Sequence, residues 1–120
     1  MLTFNQMVKQ SPLDGVFGAL ADPVRRHIVE RLSRHGELTA GAIASGYTIS
    51  APAISKHLRV LERSGLVKRT IVGRNHHLRL GPRAIDSAAH WLERQRELWN
   101  TSFDRLEHLL DRQQESETDQ

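Results

Sequence analysis

The segment Ser50–Val67, SAPAISKHLRVLERSGLV, constrains the fold more than any other part of the chain, because it predicts one helix with two unlike sides. Ser50 is a favourable N-cap, a proline in the first turn forfeits no helical hydrogen bond, and Gly65 suits the end of a helix. At about 100° per residue, the basic side chains fall opposite an apolar side. That apolar side consists of Ile54, His57, Leu58 and Leu61. The pattern predicts a helix that packs on a core and presents cations outward; the alternative is a surface helix with a solvated charged side.

The outward side of this helix has the width and the hydrogen-bond donors that a DNA major groove accepts. Residues near the N-terminus of a groove-binding helix usually reach base edges, but 51–53 offer little beyond apolar contact with thymine methyl groups. Base reading is therefore expected mainly from Ser55, Lys56 and Arg59. His57 is either a direct DNA contact or a half-buried packing residue. The candidate DNA-contacting residues are Ser50, Ala51, Pro52, Ala53, Ser55, Lys56, His57, Arg59, Arg63, Lys68 and Arg74.

Charge is unevenly distributed along the chain. Residues 50–83 contain eight basic residues and one acidic residue, a net charge of +7, whereas residues 84–120 contain four basic and nine acidic residues, a net charge of −5. A basic block inside the folded part, rather than in a tail, indicates a surface that binds a polyanion. Residues 84–120 would repel phosphate, so we expect them to face away from it.

Cap residues divide the first half of the chain into short helices. Helices are predicted to begin at Ser11-Pro12, at Asp22-Pro23 and at Thr39, and the third is short because Gly46 breaks it. Two short helices joined by a turn that contains glycine form a helix-turn-helix, here over about 39–64.

The segment after this helix pair changes its hydrophobic period. Apolar and polar residues alternate over about 66–80, and Gly73-Arg74 stands between the two runs. This pattern predicts a two-stranded hairpin, or wing, with a basic tip. Arg74 either enters a narrow minor groove or is solvated in the turn.

A long helix is predicted from Pro82 to about residue 112. Its apolar residues recur at alternating spacings of four and three, a seam broken only by Arg96. Such a helix overruns a small domain and needs a partner, for which a second copy is the simplest candidate; the alternative is a helix folded back on its own domain. The candidate dimer-interface residues are Leu13, Phe17, Ile85, Ala89, Leu92, Trp99, Phe103 and Leu106. Residues 113–120 are polar and expected to form a flexible tail.

Composition limits the function classes. The chain of 120 residues predicts a single domain over 1–112, mainly α with a small β-hairpin, a winged helix-turn-helix with a long C-terminal dimerisation helix. Without cysteine there is no disulfide, thiolate metal site or redox switch. No signal peptide or membrane-length apolar run is present, so a cytoplasmic protein is expected. No glycine-rich phosphate loop and no Ser-His-acid pattern indicate an enzyme.

Four segments resemble the ArsR/SmtB family of bacterial winged helix-turn-helix repressors. They are ALADPVRRHIVERL at 19–32, GELTAGAIA at 36–44, ISAPAISKHLRVLERSGLVKR at 49–69, and Gly73-Arg74 followed by HHLRL at 76–80. The likeness covers residues 13 to about 110, and the terminal helix with its two tryptophans resembles the cysteine-free, metal-independent branch. The resemblance implies a homodimeric repressor of an inverted-repeat operator. In it the first and last helices form the dimer, the helix at Ser50 enters the major groove, and the wing touches the backbone or minor groove.

Seven histidines raise the question of a metal site. The thiolate site of the resembled family needs two cysteines where Thr39 and Gly41 stand. Its terminal-helix site uses a D-x-H pair and a later H-x-x-H or H-x-x-E pair. The nearest counterparts, misspaced in the first pair, are Asp86, His90, His108 and Asp111. Zinc bound by these four across a dimer is a minor alternative, and no cofactor is expected.

Two further function classes compete with a repressor. A non-specific architectural protein would bind DNA of any sequence through the same basic face, and a histidine- and carboxylate-based metal sensor would add a ligand. A winged helix that contacts only proteins typically lacks such a continuous basic face. The sequence leaves the effector that relieves repression unknown.

Overall fold

The structure, a computed structural model, describes residues 11–118 and the side chains of residues 11–115. The first ten residues of the predicted domain and the last two of the predicted tail lie outside the described residues. The elements in chain order are α1 (Pro12–Leu20), α2 (Pro23–His35), β1 (Glu37–Thr39), α3 (Ala40–Ser45), α4 (Ala51–Arg63), β2 (Val67–Val72), β3 (Asn75–Leu80) and α5 (Pro82–Thr118). The chain divides into two compact units, residues 1–88 and 89–120. The single domain predicted over 1–112 stays a prediction.

The helices begin at the cap residues that the sequence indicates. The carboxylate of Asp22 accepts a hydrogen bond from the N–H of Arg25 at 3.1 Å at the start of α2. The hydroxyl of Thr39 accepts from Ala42 N–H at 3.1 Å before α3. Each cap satisfies a backbone donor that a helix start leaves without a partner, an effect of about 1 kcal/mol per helix. Local chemistry therefore fixes where these helices start.

The wing is a three-stranded antiparallel sheet in the order β1-β3-β2, rather than a hairpin alone. The short strand β1 pairs Glu37 with Arg79 and Thr39 with His77. Three residues are too few to show an alternating pattern, and Thr39 also caps the next helix, which explains why β1 was not predicted. The Gly73-Arg74 turn joins β2 to β3, and Gly73 has the positive φ of 62° that a two-residue turn of this kind requires at its first position.

The core of the unit formed by residues 1–88 lies where the helices meet the sheet. Its most buried side chains are fully enclosed: Ile28, Leu32, Ile43, Leu61 and Leu78 are each 0% exposed. Burial of an aliphatic side chain of this size stabilises a fold by about 1.5–3 kcal/mol. These residues come from α2, α3, α4 and β3, so the helix-turn-helix and the wing share one core.

Two glycines let the end of the wing approach the end of α4. Gly81 donates from its N–H to the carbonyl oxygen of Leu66 at 2.8 Å. A Cβ at Gly81 would lie 2.0 Å from the carbonyl oxygen of Gly65, which is too close for any side chain. Gly65 itself has a φ of 82°, a conformation that favours glycine. The backbone therefore crosses tightly at the base of the wing.

The last helix runs to Thr118 rather than ending near residue 112. Residues 113–118, predicted to belong to a flexible tail, are helical. The apolar stripe ends before these polar residues, and the end of that stripe is the signal from which the sequence predicts the end of the helix. The helix continues beyond the stripe because Gln and Glu have good helix propensity. Among the described residues, no helix combines the length and apolar composition that a membrane crossing requires.

Candidate nucleic-acid interface

Helix α4 has the two sides that its sequence predicts. Ile54 and Leu58 are each 2% exposed and Leu61 is fully buried, whereas the side chains of the opposite side are exposed. The exposed residues are Ala51, Pro52, Ser55, Lys56, Arg59 and Arg63. The helix therefore anchors on the core by one side and presents three cations and one hydroxyl by the other.

The N-terminal turn of α4 contributes shape more than hydrogen bonds. The hydroxyl of Ser50 accepts a hydrogen bond from Ala53 N–H at 3.3 Å, so it serves first as a helix cap. Ala51 and Pro52 are exposed and apolar, while Ala53 is half-buried. This turn can contact a thymine methyl group. The hydrogen-bond donors of α4 lie in its next turn, at Ser55 and Lys56.

Seven of the eight basic side chains in residues 50–83 have no ion-pair partner among the described residues. The exception is Arg69, whose guanidinium binds Glu62, the one acidic residue of the block, at 2.7 Å. The other seven are Lys56, Arg59, Arg63, Lys68, Arg74, Arg79 and Arg83. Because the block's single carboxylate is already paired, these cations keep their full charge for an external anion.

His57 is half-buried, with its Nδ1 3.3 Å from Nη1 of Arg25 and 3.8 Å from a carboxylate oxygen of Asp22. The N–H of Arg25, helped by the charges of His57 and Arg25, holds the pKa of Asp22 below its usual range. These contacts join α4 to the start of α2. His57 is thus partly buried and joined to α2, and a direct contact of its side chain with DNA stays a prediction.

Two arginines of α2 that the sequence did not single out bind the neighbouring helices α1 and α3. Arg25 donates from Nε to the carbonyl oxygen of Ala19 at 2.7 Å. Arg31 donates from Nη1 to the carbonyl oxygen of Ile43 at 3.0 Å, and its guanidinium lies 5.4 Å from the ring centre of Tyr47. A cation at these carbonyls neutralises the negative end of a helix. Neither contact has a local sequence signal, since the partners are six and twelve residues away.

Arg31 also explains the glycine that ends α3. A Cβ at Gly46 would lie 2.6 Å from Nη1 of Arg31, within the space that the guanidinium occupies. The turn of the helix-turn-helix is thus shaped by a backbone without a side chain and by an arginine that binds across it.

The wing contributes two of the predicted DNA-contacting residues. Arg74 is exposed at the tip of the β2–β3 turn, and Lys68 is exposed on β2 near the base of the wing. The remaining basic side chain of β2, Arg69, is turned to Glu62 and to Nδ1 of His76, which lies 2.9 Å from Nη1. The wing therefore presents cations at both its tip and its base.

The candidate dimer residues fall into two groups. Leu13, Phe17 and Ile85 are half-buried and pack against the core of residues 1–88. In the unit formed by residues 89–120, Ala89 is exposed, as are eight large apolar side chains, between 43% and 63%. The eight are Trp91, Leu92, Leu98, Trp99, Phe103, Leu106, Leu109 and Leu110. An exposed apolar surface of this extent indicates an interaction site.

Potential metal ligands lie apart from one another in the part of the chain that the structure describes. Among the described residues, no set of three His, Cys, Asp or Glu side chains is placed to hold a metal ion. The four residues Asp86, His90, His108 and Asp111 are all exposed. A site that they would form across two subunits therefore stays a prediction.

Comparison with known proteins agrees with this geometry. A family model described as a helix-turn-helix domain matches residues 20–70. The chain is 32% identical over 80 residues to the transcriptional repressor SdpR of Bacillus subtilis, covering 67% of this chain and 88% of that protein. It resembles the structure of an ArsR-like transcriptional regulator from Rhodococcus sp. RHA1 at 32% identity and a TM-score of 0.70, covering 82% of this chain and 92% of that one.

A second solved structure is the homodimeric winged helix-turn-helix DNA-binding domain of a possible ArsR-family regulator from Mycobacterium bovis. It is 26% identical with a TM-score of 0.57, and the match covers 76% of this chain and 92% of that one. The matched proteins are transcriptional regulators, a class without enzymatic activity. The winged helix-turn-helix predicted from the sequence is thus confirmed, and the chain belongs to the ArsR family of transcriptional regulators.

Proposed function

We propose that this protein is a homodimeric repressor that reads an inverted-repeat operator with α4 and steadies itself on the flanking DNA with the wing. The observation that carries the proposal is the set of seven basic side chains in residues 50–83 that lack ion-pair partners among the described residues. Cations held on a rigid helix and sheet, with no carboxylate to neutralise them, are the electrostatic footprint of a DNA-binding surface.

Individual side chains take different roles in this proposal. Lys56 and Arg59 lie about one turn apart on the outer side of α4. From there, the long side chains of lysine and arginine can donate hydrogen bonds to guanine O6 and N7 in the major groove. Arg63, nearer the end of the helix, and Lys68 suit phosphate oxygens, which fix position without reading sequence. Arg74 at the wing tip suits a narrow minor groove or the adjacent backbone.

Dimerisation is supported by the exposed apolar face of residues 89–120. Plotted at about 100° per residue, its large apolar side chains occupy less than half of the helix circumference, and the polar residues occupy the rest. A second copy buries such a face by a two-fold axis, which also pairs two reading helices with an inverted repeat. The homodimeric winged helix-turn-helix structure from Mycobacterium bovis supports the same assembly.

A dimer bound to its operator blocks the access of RNA polymerase to that DNA and so represses transcription. The similarity to a transcriptional repressor of Bacillus subtilis supports repression rather than activation. A regulator of this kind acts where the chromosome lies, so we place it in the bacterial cytoplasm at the nucleoid. The absence of cysteine leaves no thiolate metal site through which repression would be relieved.

Selection of bound sequences from a random DNA pool tests the proposal. Recovery of an inverted repeat, with half-sites about one helical turn apart or a multiple of it, is the expected result. Recovery of sequences without a shared motif would instead indicate an architectural protein that binds DNA of any sequence. Repeating the selection with zinc distinguishes a metal-independent repressor from a metal sensor. Only a metal sensor is expected to change its DNA binding when zinc is added.

A further inference from the structure

A cavity of about 480 Å³ lies in the unit formed by residues 1–88, between α1, the base of the wing and the first turn of α5. Its volume is within the range of about 300–1,000 Å³ that holds small ligands in proteins. Its apolar part includes Leu13, Val16 and Ala84, of which Val16 belongs to the core. The proposed DNA-reading residues of α4 do not line it, so the repressor function leaves this cavity unexplained.

Three cations line the same cavity: Lys68, Arg79 and Arg83. Lys68 and Arg79 are directly opposite each other in the β2–β3 ladder, an arrangement of like charges that is unfavourable in a sheet. Arg79 donates to the hydroxyl of Thr70 at 2.7 Å. Its neighbour on the other side, Glu37 of β1, has its carboxylate 3.7 Å from His77 and outside ion-pair distance of Arg79. Within the described part of the chain, none of the three has a carboxylate within ion-pair distance. An anion placed between them would relieve this repulsion.

The cavity is also preformed. Its wall includes Gly65 and Gly81, whose backbones cross so closely that Gly81 tolerates no side chain. Ser64 at the same wall is held by a hydrogen bond from its hydroxyl to Leu61 at 2.7 Å. Rigid walls lower the ordering cost of binding a small molecule.

We propose that this cavity binds a small amphiphilic anion, with its apolar body against Leu13, Val16 and Ala84 and its head group between Lys68, Arg79 and Arg83. Arginine and lysine bind both carboxylates and phosphates, so the head group is either of these. Inorganic phosphate lacks the apolar body, and a neutral alcohol lacks the charge, so both bind weakly. Because Lys68 is shared with the proposed DNA surface, an occupied cavity lowers DNA affinity; this consequence rests on the proposed function.

Calorimetric titration of the full chain, without DNA, tests the site by itself. The probes are octanoate and octyl phosphate, with 1-octanol and inorganic phosphate as controls. Octanoate or octyl phosphate is expected to bind at least about tenfold more tightly than either control, the effect of one charge-assisted hydrogen bond. Equal binding of octanoate and 1-octanol, or of octyl phosphate and inorganic phosphate, overturns the proposal.

Three variants locate the binding. Arg83→Gln removes a lining charge, and Arg34→Gln removes an equivalent charge from an exposed position outside the cavity. Ser87→Phe fills the cavity from an exposed lining position and leaves every charge in place. Arg83→Gln and Ser87→Phe are each expected to weaken binding about tenfold or more while Arg34→Gln does not. Unchanged binding in both cavity variants contradicts the assignment.

A DNA titration with and without saturating octanoate separates this inference from the proposed function. Ser87→Phe is expected to keep the DNA affinity of the parent chain but to lose any response to octanoate. If no DNA binds at all, the proposed function fails while the calorimetry still decides the cavity. If DNA binds, no probe binds, and Arg83→Gln weakens DNA binding, the three cations are a phosphate contact and the cavity proposal is wrong.

Discussion

Arg69 of β2 binds Glu62 of α4 through two hydrogen bonds, from Nε to Oε1 at 2.7 Å and from Nη2 to Oε2 at 3.1 Å. This pair of parallel bonds has the planar geometry that makes arginine–carboxylate contacts specific. It joins β2 of the wing to the last turn of α4, the helix proposed to enter the groove. The angle between two elements proposed to contact DNA is thus held by Glu62, the only acidic residue of the basic block.

Replacing Glu62 by Gln should destabilise the fold by about 1 kcal/mol, because Arg69 keeps its charge and loses its carboxylate while both side chains are about three-quarters buried. The midpoint of urea unfolding measures this. Glu93→Gln is the matched control, since its pair with Arg96 is largely exposed and should contribute little. Equal effects of the two substitutions would show that the Glu62 pair has no special weight.

Trp99→Glu should dissociate the dimer, because it places a charge on the apolar face of residues 89–120. Trp99 is 63% exposed in the single chain and its ring lies 5.8 Å from that of Phe103. Sedimentation velocity at micromolar concentration reports the change in mass. Thr101→Glu adds the same charge on the polar side of this helix and should leave the dimer intact. A dimer that survives Trp99→Glu would place the interface elsewhere.

Asp22 gives the fold a pH-dependent contribution of defined sign. Its pKa lies below the ordinary value of 3.8, mainly because Arg25 N–H donates to it, so its ionised form stabilises the folded chain. That stability is complete above about pH 4 and is lost as the pH falls through the lowered pKa. Asp22→Asn keeps a helix cap but removes the charge.

The stability difference between the parent chain and Asp22→Asn should therefore be largest near neutral pH and shrink as the pH falls below about 4. Urea unfolding of both proteins at a series of pH values measures this difference. Both proteins retain His57, whose charge contributes to the lowered pKa of Asp22. A difference that grows toward low pH would contradict the lowered pKa.

The logarithm of DNA affinity should fall steeply and linearly with the logarithm of salt concentration, since several phosphates are neutralised. Arg63→Gln, at a proposed phosphate contact, should reduce this slope by about one. Fluorescence anisotropy at four or more salt concentrations gives both slopes. An unchanged slope would show that Arg63 does not neutralise a phosphate.

The sequence predicted the elements whose signals are local. The caps Asp22 and Thr39 and the turn glycines set element ends within a few residues of themselves, and the apolar period of α4 identified its buried side. It missed what depends on distant partners. Nothing near Arg31 indicates that its guanidinium binds Ile43, and nothing near His57 reveals Arg25, thirty-two residues earlier.

Two other differences between the predicted and the observed elements concern the lengths of β1 and α5. The strand β1 is three residues long, shorter than one alternating pattern, and it exists because β3 offers it hydrogen bonds. The end of α5 lies past its last apolar residue, where helix propensity continues without a buried stripe. The sequence shows the excess of basic residues over acidic residues in 50–83. The structure adds that Arg69 is the basic residue paired with Glu62, which leaves the other seven without an ion-pair partner among the described residues.

The most direct test of the account is the affinity of three variants for an operator recovered by selection, compared with random DNA. Lys56→Ala and Arg59→Ala should each weaken operator binding by about 1–3 kcal/mol, roughly fivefold to more than a hundredfold, and narrow the preference over random DNA. Arg34→Ala, an exposed arginine at the end of α2, should bind within about twofold of the parent chain. If Lys56→Ala and Arg59→Ala both bind the operator as the parent chain does, α4 is not the reading helix and the central claim is wrong.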